Sequence, residues 1–320
     1  MRRNNVFIAR CKRIPSEIQT TLETLHRRCR HEKRRFETQF AFDTSAEAAR
    51  AHLRAKLPHD PDYGVFEYFS SGESILDVGA NSGYSSTSIW AAGSAATVLS
   101  LEALHIHRAA LETIRSANEH RFDFCISAVA DRDRDLEFIL PMIDGLGLSS
   151  LATAAEDVHW PSMSENLLRF GPRHDGSPEC VVGLQFVPGR ARPLDDLLTD
   201  TFRSHAHLPL AAIKIDVEGL EAAVIAGASR TLRRHRPLLL IEGARWRPEL
   251  VEALAAAGYL AARRVESQLV LAEGAGEEVN TFFVHASKAR NYRRRGLLQR
   301  LSLSDHGRVL KTRIHQHVAL

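Results

Sequence analysis

Two apolar runs, each ending in acids and a glycine-bearing turn, constrain this chain more than any other feature. The first is Ile75-Leu76-Asp77-Val78-Gly79-Ala80-Asn81-Ser82-Gly83-Tyr84. The second is Ala211-Ala212-Ile213-Lys214-Ile215-Asp216-Val217-Glu218-Gly219-Leu220-Glu221. Each reads as a buried strand that delivers carboxylates to its tip, with a helix starting directly after the turn. Such strand-turn-helix units need a parallel sheet covered on both faces. Sheets of that kind bind ligands outside the carboxyl ends of their strands.

The rest of the chain repeats this grammar. Strands are predicted at 74–78, 97–101, 124–129, 211–215, 238–241, 260–265 and 281–285, with a short hairpin strand at 135–140. Helices are predicted at 85–92, 104–118, 218–235 and 247–257. Two more precede the sheet. One starts at Pro15 and Ser16 and carries Ile18, Leu22, Leu25 and Cys29 at helical spacing. The other begins at a Thr44/Glu47 capping box and is closed by Pro58. Residues 141–192 read as irregular and rich in Gly, Pro, Ser and His. Structureless connections of that length usually carry function, so a substrate lid is expected there. Trp160, Phe170, His159 and His174 are candidates within it for stacking on an acceptor or moving a proton.

Composition narrows the class. The 320 residues are 44% hydrophobic, enough for a sizeable core and against general disorder. The apolar runs are too short to span a membrane, which takes about 20 residues. The apolar stretch Val6 to Ala9 is short for a secretory signal. Cys11, Cys29, Cys125 and Cys180 form no C-x-x-C pair, so neither a zinc site nor a disulfide framework is expected, and a cytoplasmic home is. The total charge of +3 hides a segregation. Residues 1–35 carry eleven Lys/Arg against three Glu, and 286–320 carry nine against one Asp. Each arm is therefore +8 and the span between them is −13. The arms are either solvated ends or docking segments for an anionic partner or surface.

The loop after Asp77 identifies the ligand class. Gly79 and Gly83 let the backbone turn and approach a ligand without a Cβ clash. The next helix presents free N–H groups. Glu102, twenty-five residues after Asp77, ends the following strand, where a carboxylate can accept both hydroxyls of a ribose. A dinucleotide fingerprint needs G-x-G-x-x-G, and position 81 is Asn, which weighs against a nucleotide-binding oxidoreductase. The same Asn81 removes the G-x-S-x-G of a nucleophile elbow. Gly145 and Gly147 lack a third glycine, since position 150 is Ser150. The D-x-G-x-x-x-G pattern instead resembles motif I of S-adenosylmethionine-dependent methyltransferases.

A wider resemblance follows. D-V-G-A-N-S-G-Y, S-L-E-A, S-A-V-A-D, L-D-D-L-L, I-K-I-D-V-E-G-x-E and L-L-I-E, in that order, are similar to the FkbM family of methyltransferases. The resemblance covers about 64–285, and I-K-I-D-V-E-G-x-E is its most specific part. It implies a Rossmann-like class I methyltransferase fold: α/β, with a mostly parallel seven-stranded sheet and helices on both faces. It implies S-adenosyl-L-methionine as donor and a hydroxyl of a sugar or natural product as acceptor. It places Asp77, Gly79, Ala80, Asn81 and Gly83 at the methionine moiety and Glu102 at the ribose. Ser127, Ala128 and Asp131 fall near the adenine. Ser149 and Ser150 fit the family's serine pair, and Asp195 and Asp196 its L-D-D element. The domain reading is a helical basic lead-in at 1–63, the methyltransferase domain at 64–285 and a basic tail at 286–320.

Methyl transfer to an alcohol needs alignment and a base. Asp216, Glu218 and Glu242 are the strand-tip candidates. Glu218 also has a plainer reading, as a first-turn carboxylate that stabilises a helix N-terminus, and Glu221 reads more simply as a solvated face. Lys214, between buried neighbours, must pair with a carboxylate or face a cavity. No denser carboxylate cluster is visible, so no metal is expected. Two further readings compete: a nucleic-acid methyltransferase, encouraged by the arms but lacking [DNS]-P-P-[YFW], and a non-catalytic binding module of the same fold.

Overall fold

The computed structural model describes residues 15–28, 46–143, 146–156, 158–170, 182–276 and 278–299. Thr44, Cys11, Cys29, Cys180, His174 and most of both basic arms lie outside them. Among the described residues, thirteen strands form two sheets. The main one contains β1 (Ser74–Val78), β2 (Thr97–Glu102), β3 (Phe122–Ile126), β9 (Leu210–Ile215), β10 (Leu238–Glu242), β11 (Tyr259–Val265), β12 (Gln268–Leu271) and β13 (Asn280–His285). Its spatial order is β12-β11-β13-β10-β9-β1-β2-β3. The run from β10 to β3 is parallel, and β13, β11 and β12 are antiparallel. This is the expected mostly parallel α/β sheet with one strand more than the expected seven. The addition, β12, forms a hairpin with β11 at the edge, and its Leu269 is bridged in parallel to Leu298.

Strand order reverses between β1 and β9, and both tips of that switch carry acids. β1 and β9 are buried along nearly their whole length, as strands covered on both faces must be. One face packs against Ala46–Arg54, Tyr84–Ala91, Arg108–Ala117 and a 3₁₀ segment, Pro61–Tyr68, around Phe66, Ile89, Ile114 and Phe282. The other packs against Leu194–Asp200, Glu221–Gly227, Ser229–His235 and Pro248–Ala256 around Leu194, Val224, Ile213 and Leu239. The predicted single helix over 218–235 is two helices that meet at Ala228. A Cβ on Gly227 would stand 2.0 Å from the Ala130 carbonyl oxygen, so the chain passes that carbonyl only as glycine.

The second sheet replaces the predicted irregular region. It contains β4 (Ala128–Val129), β5 (Arg134–Ile143), β6 (Leu146–Gly147), β7 (Thr153–Ala154) and β8 (Val182–Arg192). β5 and β8 pair antiparallel over ten residues. The predicted 124–129 strand divides between the sheets, because Ser127 breaks it and β4 turns away to pair with β8. A helix, Trp160–Phe170, lies in the expected lid. The amino-terminal helix Ser16–Arg28 packs beside it, with Ile18 and Leu22 fully buried among Ile139, Met163 and Leu184. Beyond His285 the chain forms a helix, Ala289–Arg295, whose Tyr292 is buried, and Leu297 and Leu298 close the core behind it. Among the described residues no helix is long and apolar enough to cross a membrane.

Candidate active site

A cavity of about 160 Å³ opens at the strand tips, between the two sheets. Its floor is Val78, Gly79 and Asn81 from the first turn and Asp216, Val217 and Glu218 from the second. Glu102, Ser127 and Ala128 form one wall. Phe138, Ser149, Ser150 and Ala152, all from the second sheet and its connections, form the opposite one.

Glu102 is 6% exposed and is held by both oxygens. The Asn81 N–H donates to Oε2 and the Leu104 N–H to Oε1, each at 2.7 Å. Asn81 adopts φ +50°, unusual for a residue with a side chain, and its own Oδ1 accepts the Ser82 N–H. Glu102 therefore fixes the glycine loop while keeping lone pairs for a ligand. Burial pushes its carboxyl up to about 7, against the pull of the two N–H donors.

Gly79 and Gly83 both have positive φ, but their surroundings differ. A Cβ on Gly79 would meet the Asp216 carbonyl oxygen at 1.7 Å, so this glycine lets the two acidic turns touch at the cavity floor. A Cβ on Gly83 would meet Ile114 Cδ1 at 2.2 Å, so its need is for helix packing. Gly83 and Ala80 stand behind the cavity, outside its lining.

Asp77 is also outside the lining. It is fully buried, and its Oδ2 accepts hydrogen bonds from Ser85 Oγ and Ser86 Oγ at 2.6 Å. Its Oδ1 lies 3.3 Å from Lys214 Nζ. In the parallel ladder Asp77 stands opposite Ser100 on one side and Lys214 on the other. A buried polar row thus runs across three strands beneath the helix Tyr84–Ala91. Lys214 Nζ also donates to the Gly79 carbonyl at 2.9 Å and pairs with Asp216 Oδ2 at 3.2 Å. The neighbouring carboxylates of Asp216 and Asp77 overcome desolvation and hold its pKa well above the usual value. Asp131, expected near the adenine, is exposed and pairs with Arg132 and Arg134.

The three acids proposed as bases are close but not equivalent. Asp216 and Glu218 line the large cavity. Asp216 and Glu242 line a smaller neighbouring one, so Asp216 belongs to both. Burial and the Asp216 carboxylate both raise Glu242 above the ordinary carboxylate range. Glu218 is raised as well, by surrounding protein and by the charges of Asp216 and Glu242, although much of its surface remains open to solvent. Its backbone sits at φ +51°, with its carbonyl accepting a hydrogen bond from Thr153 Oγ1 of β7. Glu221 is buried, not solvated: Oε1 accepts the Gly219 N–H at 3.1 Å, and Oε2 lies 2.9 Å from Arg247 Nε.

Other predicted residues fall elsewhere. Asp195 accepts hydrogen bonds from the Thr231 hydroxyl and from the N–H groups of Thr231 and Arg230, so it caps the helix Ser229–His235. Asp196 pairs with Arg230. His159 is exposed and contacts Ser162. Sequence reasoning missed Phe138 and Ala152, because β5 was read as a short hairpin strand. It also missed the rings of His52 and His59 that stack on Tyr84 at 4.2 and 4.5 Å. Among the described residues no three His, Cys, Asp or Glu side chains group as a metal site.

The family profile described as Methyltransferase FkbM domain matches residues 77–262, more than half of the chain. A solved structure titled methyltransferase FkbM, from Methylobacillus flagellatus KT, is 14% identical with a TM-score of 0.41. The match covers 83% of this chain and 58% of that one, so this chain spans little more than half its length. Precorrin-6y C5,15-methyltransferase from Geobacter metallireducens GS-15 is 12% identical with a TM-score of 0.28, covering 74% of this chain and 86% of that one. No curated protein matches.

Proposed function

This chain belongs to the FkbM methyltransferase family, and we propose from that premise that it moves a methyl group from S-adenosylmethionine to a hydroxyl of a saccharide or natural-product acceptor. The observation that carries the donor is the pairing of Glu102 with the glycine loop. A buried carboxylate, pinned by the N–H groups of Asn81 and Leu104, faces a cavity whose floor is closed where Gly79, lacking a Cβ, lies against the Asp216 backbone. The residues present fit the donor. Glu102 would take the ribose hydroxyls, Ser127 and Ala128 would border the adenine, and Gly79 and Asn81 would border the methionine part. Asp77, Ala80 and Gly83 would support that loop from behind.

When bound, the donor supplies an already activated methyl group on a sulfonium. The protein's own work is then alignment, exclusion of water and acceptance of one proton from the acceptor hydroxyl. Asp216, Glu218 and Glu242 are the candidates for that proton. Asp216 is the best placed, because it stands where the two cavities meet. Lys214 would keep it in position through the 3.2 Å pair.

The test uses methyl-labelled donor with the purified protein and a cell extract, followed by mass spectrometry. The expected result is a labelled product whose methyl sits on oxygen, lost in Asp216→Asn while donor binding persists. Label on carbon or nitrogen, or wild-type turnover in Asp216→Asn, would contradict the reading.

A further inference from the structure

We propose that the edge of the main sheet opposite the candidate active site is a docking surface for an anionic phospholipid membrane. The surface is independent of the methyl-donor assignment. The acidic tips lie at the carboxyl ends of β1, β9 and β10. At the far ends of these strands the chain is free of acids. Residues 203–209 precede β9, 229–237 precede β10, 253–258 precede β11 and 286–295 follow β13; none of these segments contains Asp or Glu. The strand pairings bring all four to one edge.

Cations fill the space instead. Arg233, Arg234 and Arg236 end the helix Ser229–His235, and Lys288, Arg290 and Arg294 follow one another along Ala289–Arg295 and its cap. All but the half-buried Lys288 are exposed. Among the described residues none of the six pairs with a carboxylate. The paired arginines of these segments, Arg230 with Asp196 and Arg295 with Glu73, find their acids outside them. Hydrogen bonds join the patch. Arg236 Nη1 donates to Ser287 Oγ at 3.2 Å, and that oxygen lies 2.8 Å from His285 Nδ1. The Leu210 N–H donates to His235 Nδ1 at 3.4 Å, tying in the start of β9. Burial lowers the pKa of both histidines. The charges that lower it further are all cations, Arg234 and Lys288 for His235 and Arg236 and Lys288 for His285.

Helix stability explains only part of this charge. Arg233 and Arg234 sit in a last turn, where cations suit the helix dipole. Lys288 and Arg290 stand at the cap and first turn of the next helix, where cations are unfavourable and no acid offsets them. Unpaired cations spread over several segments match a plane of lipid phosphates, each adding about fivefold in affinity near an anionic bilayer. Single-stranded nucleic acid would need exposed aromatic faces for its bases. The tyrosines at this edge, Tyr259 and Tyr292, are buried. A macromolecular acceptor seated here would also miss the strand tips, about 20 Å away along the six residues of β9 at about 3.3 Å each. Docking by this edge leaves those tips facing away from the bilayer.

The experiment sediments the full chain with vesicles of phosphatidylcholine alone and of phosphatidylcholine with an equal part of phosphatidylglycerol. Only the anionic vesicles should retain it, and high salt should release it. Arg233→Gln with Arg234→Gln should weaken retention about twentyfold at unchanged melting temperature, and Arg290→Gln with Arg294→Gln should do the same. In the wild-type protein, bound vesicles should slow acetylation of Lys288 severalfold by mass spectrometry. Lys56, exposed near His59 at the opposite edge, should be acetylated at its free rate. No retention on anionic vesicles would overturn the docking surface. So would wild-type retention in both double variants, which would assign binding to the basic arms alone, or an unprotected Lys288. Tighter binding of a single-stranded RNA than of vesicles, lost in the same variants, would replace the membrane by nucleic acid.

Discussion

Asp77 and Glu102 end neighbouring strands, yet their carboxylates do different work. Asp77 is spent inside the protein on Ser85, Ser86 and Lys214, while Glu102 faces the cavity. Asp77→Ala should therefore lower stability by about 3 kcal/mol, because it strips a partner from a buried lysine; urea unfolding measures this. A loss confined to donor affinity would contradict it. Glu102 yields a pH prediction. Its folded pKa of about 7 lies above the ordinary carboxylate value, so the empty protein loses stability from this group as pH rises from about 4.5 to 7. A donor that hydrogen-bonds the ionised form should bind about tenfold more weakly at pH 6 than above pH 8. Glu102→Gln should flatten that profile in calorimetry. Both acids were legible as strand tips, since an apolar run ending in Asp or Glu is a local signal. Which way each side chain turns was not. Nothing in the spacing says that Ser85 and Ser86 reach back to Asp77.

At the scale of elements, the parallel strands were readable because burial on both faces leaves continuous apolar runs. The second sheet was not. β8 contains Pro188 and Gly189, which belong to the composition that made 141–192 read as irregular. The proline is tolerated because β4 pairs with β8 only at Ala191 and Arg192, which leaves Pro188 beside no ladder on that edge among the described residues. Gly189 is required by the ring of Phe138, whose Cε2 would lie 2.7 Å from a Cβ there. The break in the predicted 218–235 helix was similarly hidden, because it follows from contact with Ala130 and not from helix propensity. Gly227→Ala should destabilise by about 2 kcal/mol in urea unfolding, since the added methyl meets backbone that cannot yield. The helix Ser16–Arg28 closes the outer face of the second sheet. Leu22→Ala, at a fully buried position, should cost about 3 kcal/mol and speed hydrogen exchange in β5 and β8 more than in β1 and β9. Uniform acceleration would show that the sheets do not open separately.

For the whole molecule, the −13 body and its +8 arms do not divide as the charge pattern alone would divide them. Part of the basic tail belongs to the core: Tyr292, Leu297 and Leu298 are buried, and Arg295 pairs with Glu73 at 2.9 Å. A chain ending at residue 299 should melt close to the full-length protein, and one ending at 286 should melt far lower or fail to fold. Equal melting temperatures would contradict this packing. The cavity exists only because the second sheet faces the strand tips of the first, with Phe138 and the 149–152 turn opposite Glu102 and Asp216. The central claim is that this space holds the methyl donor. Calorimetric titration of the purified protein with S-adenosylhomocysteine tests it most directly. One molecule should bind per chain, with affinity lost in Gly79→Val and much weakened in Glu102→Ala. Absence of binding by the wild-type protein, or unchanged affinity in Glu102→Ala, would contradict it.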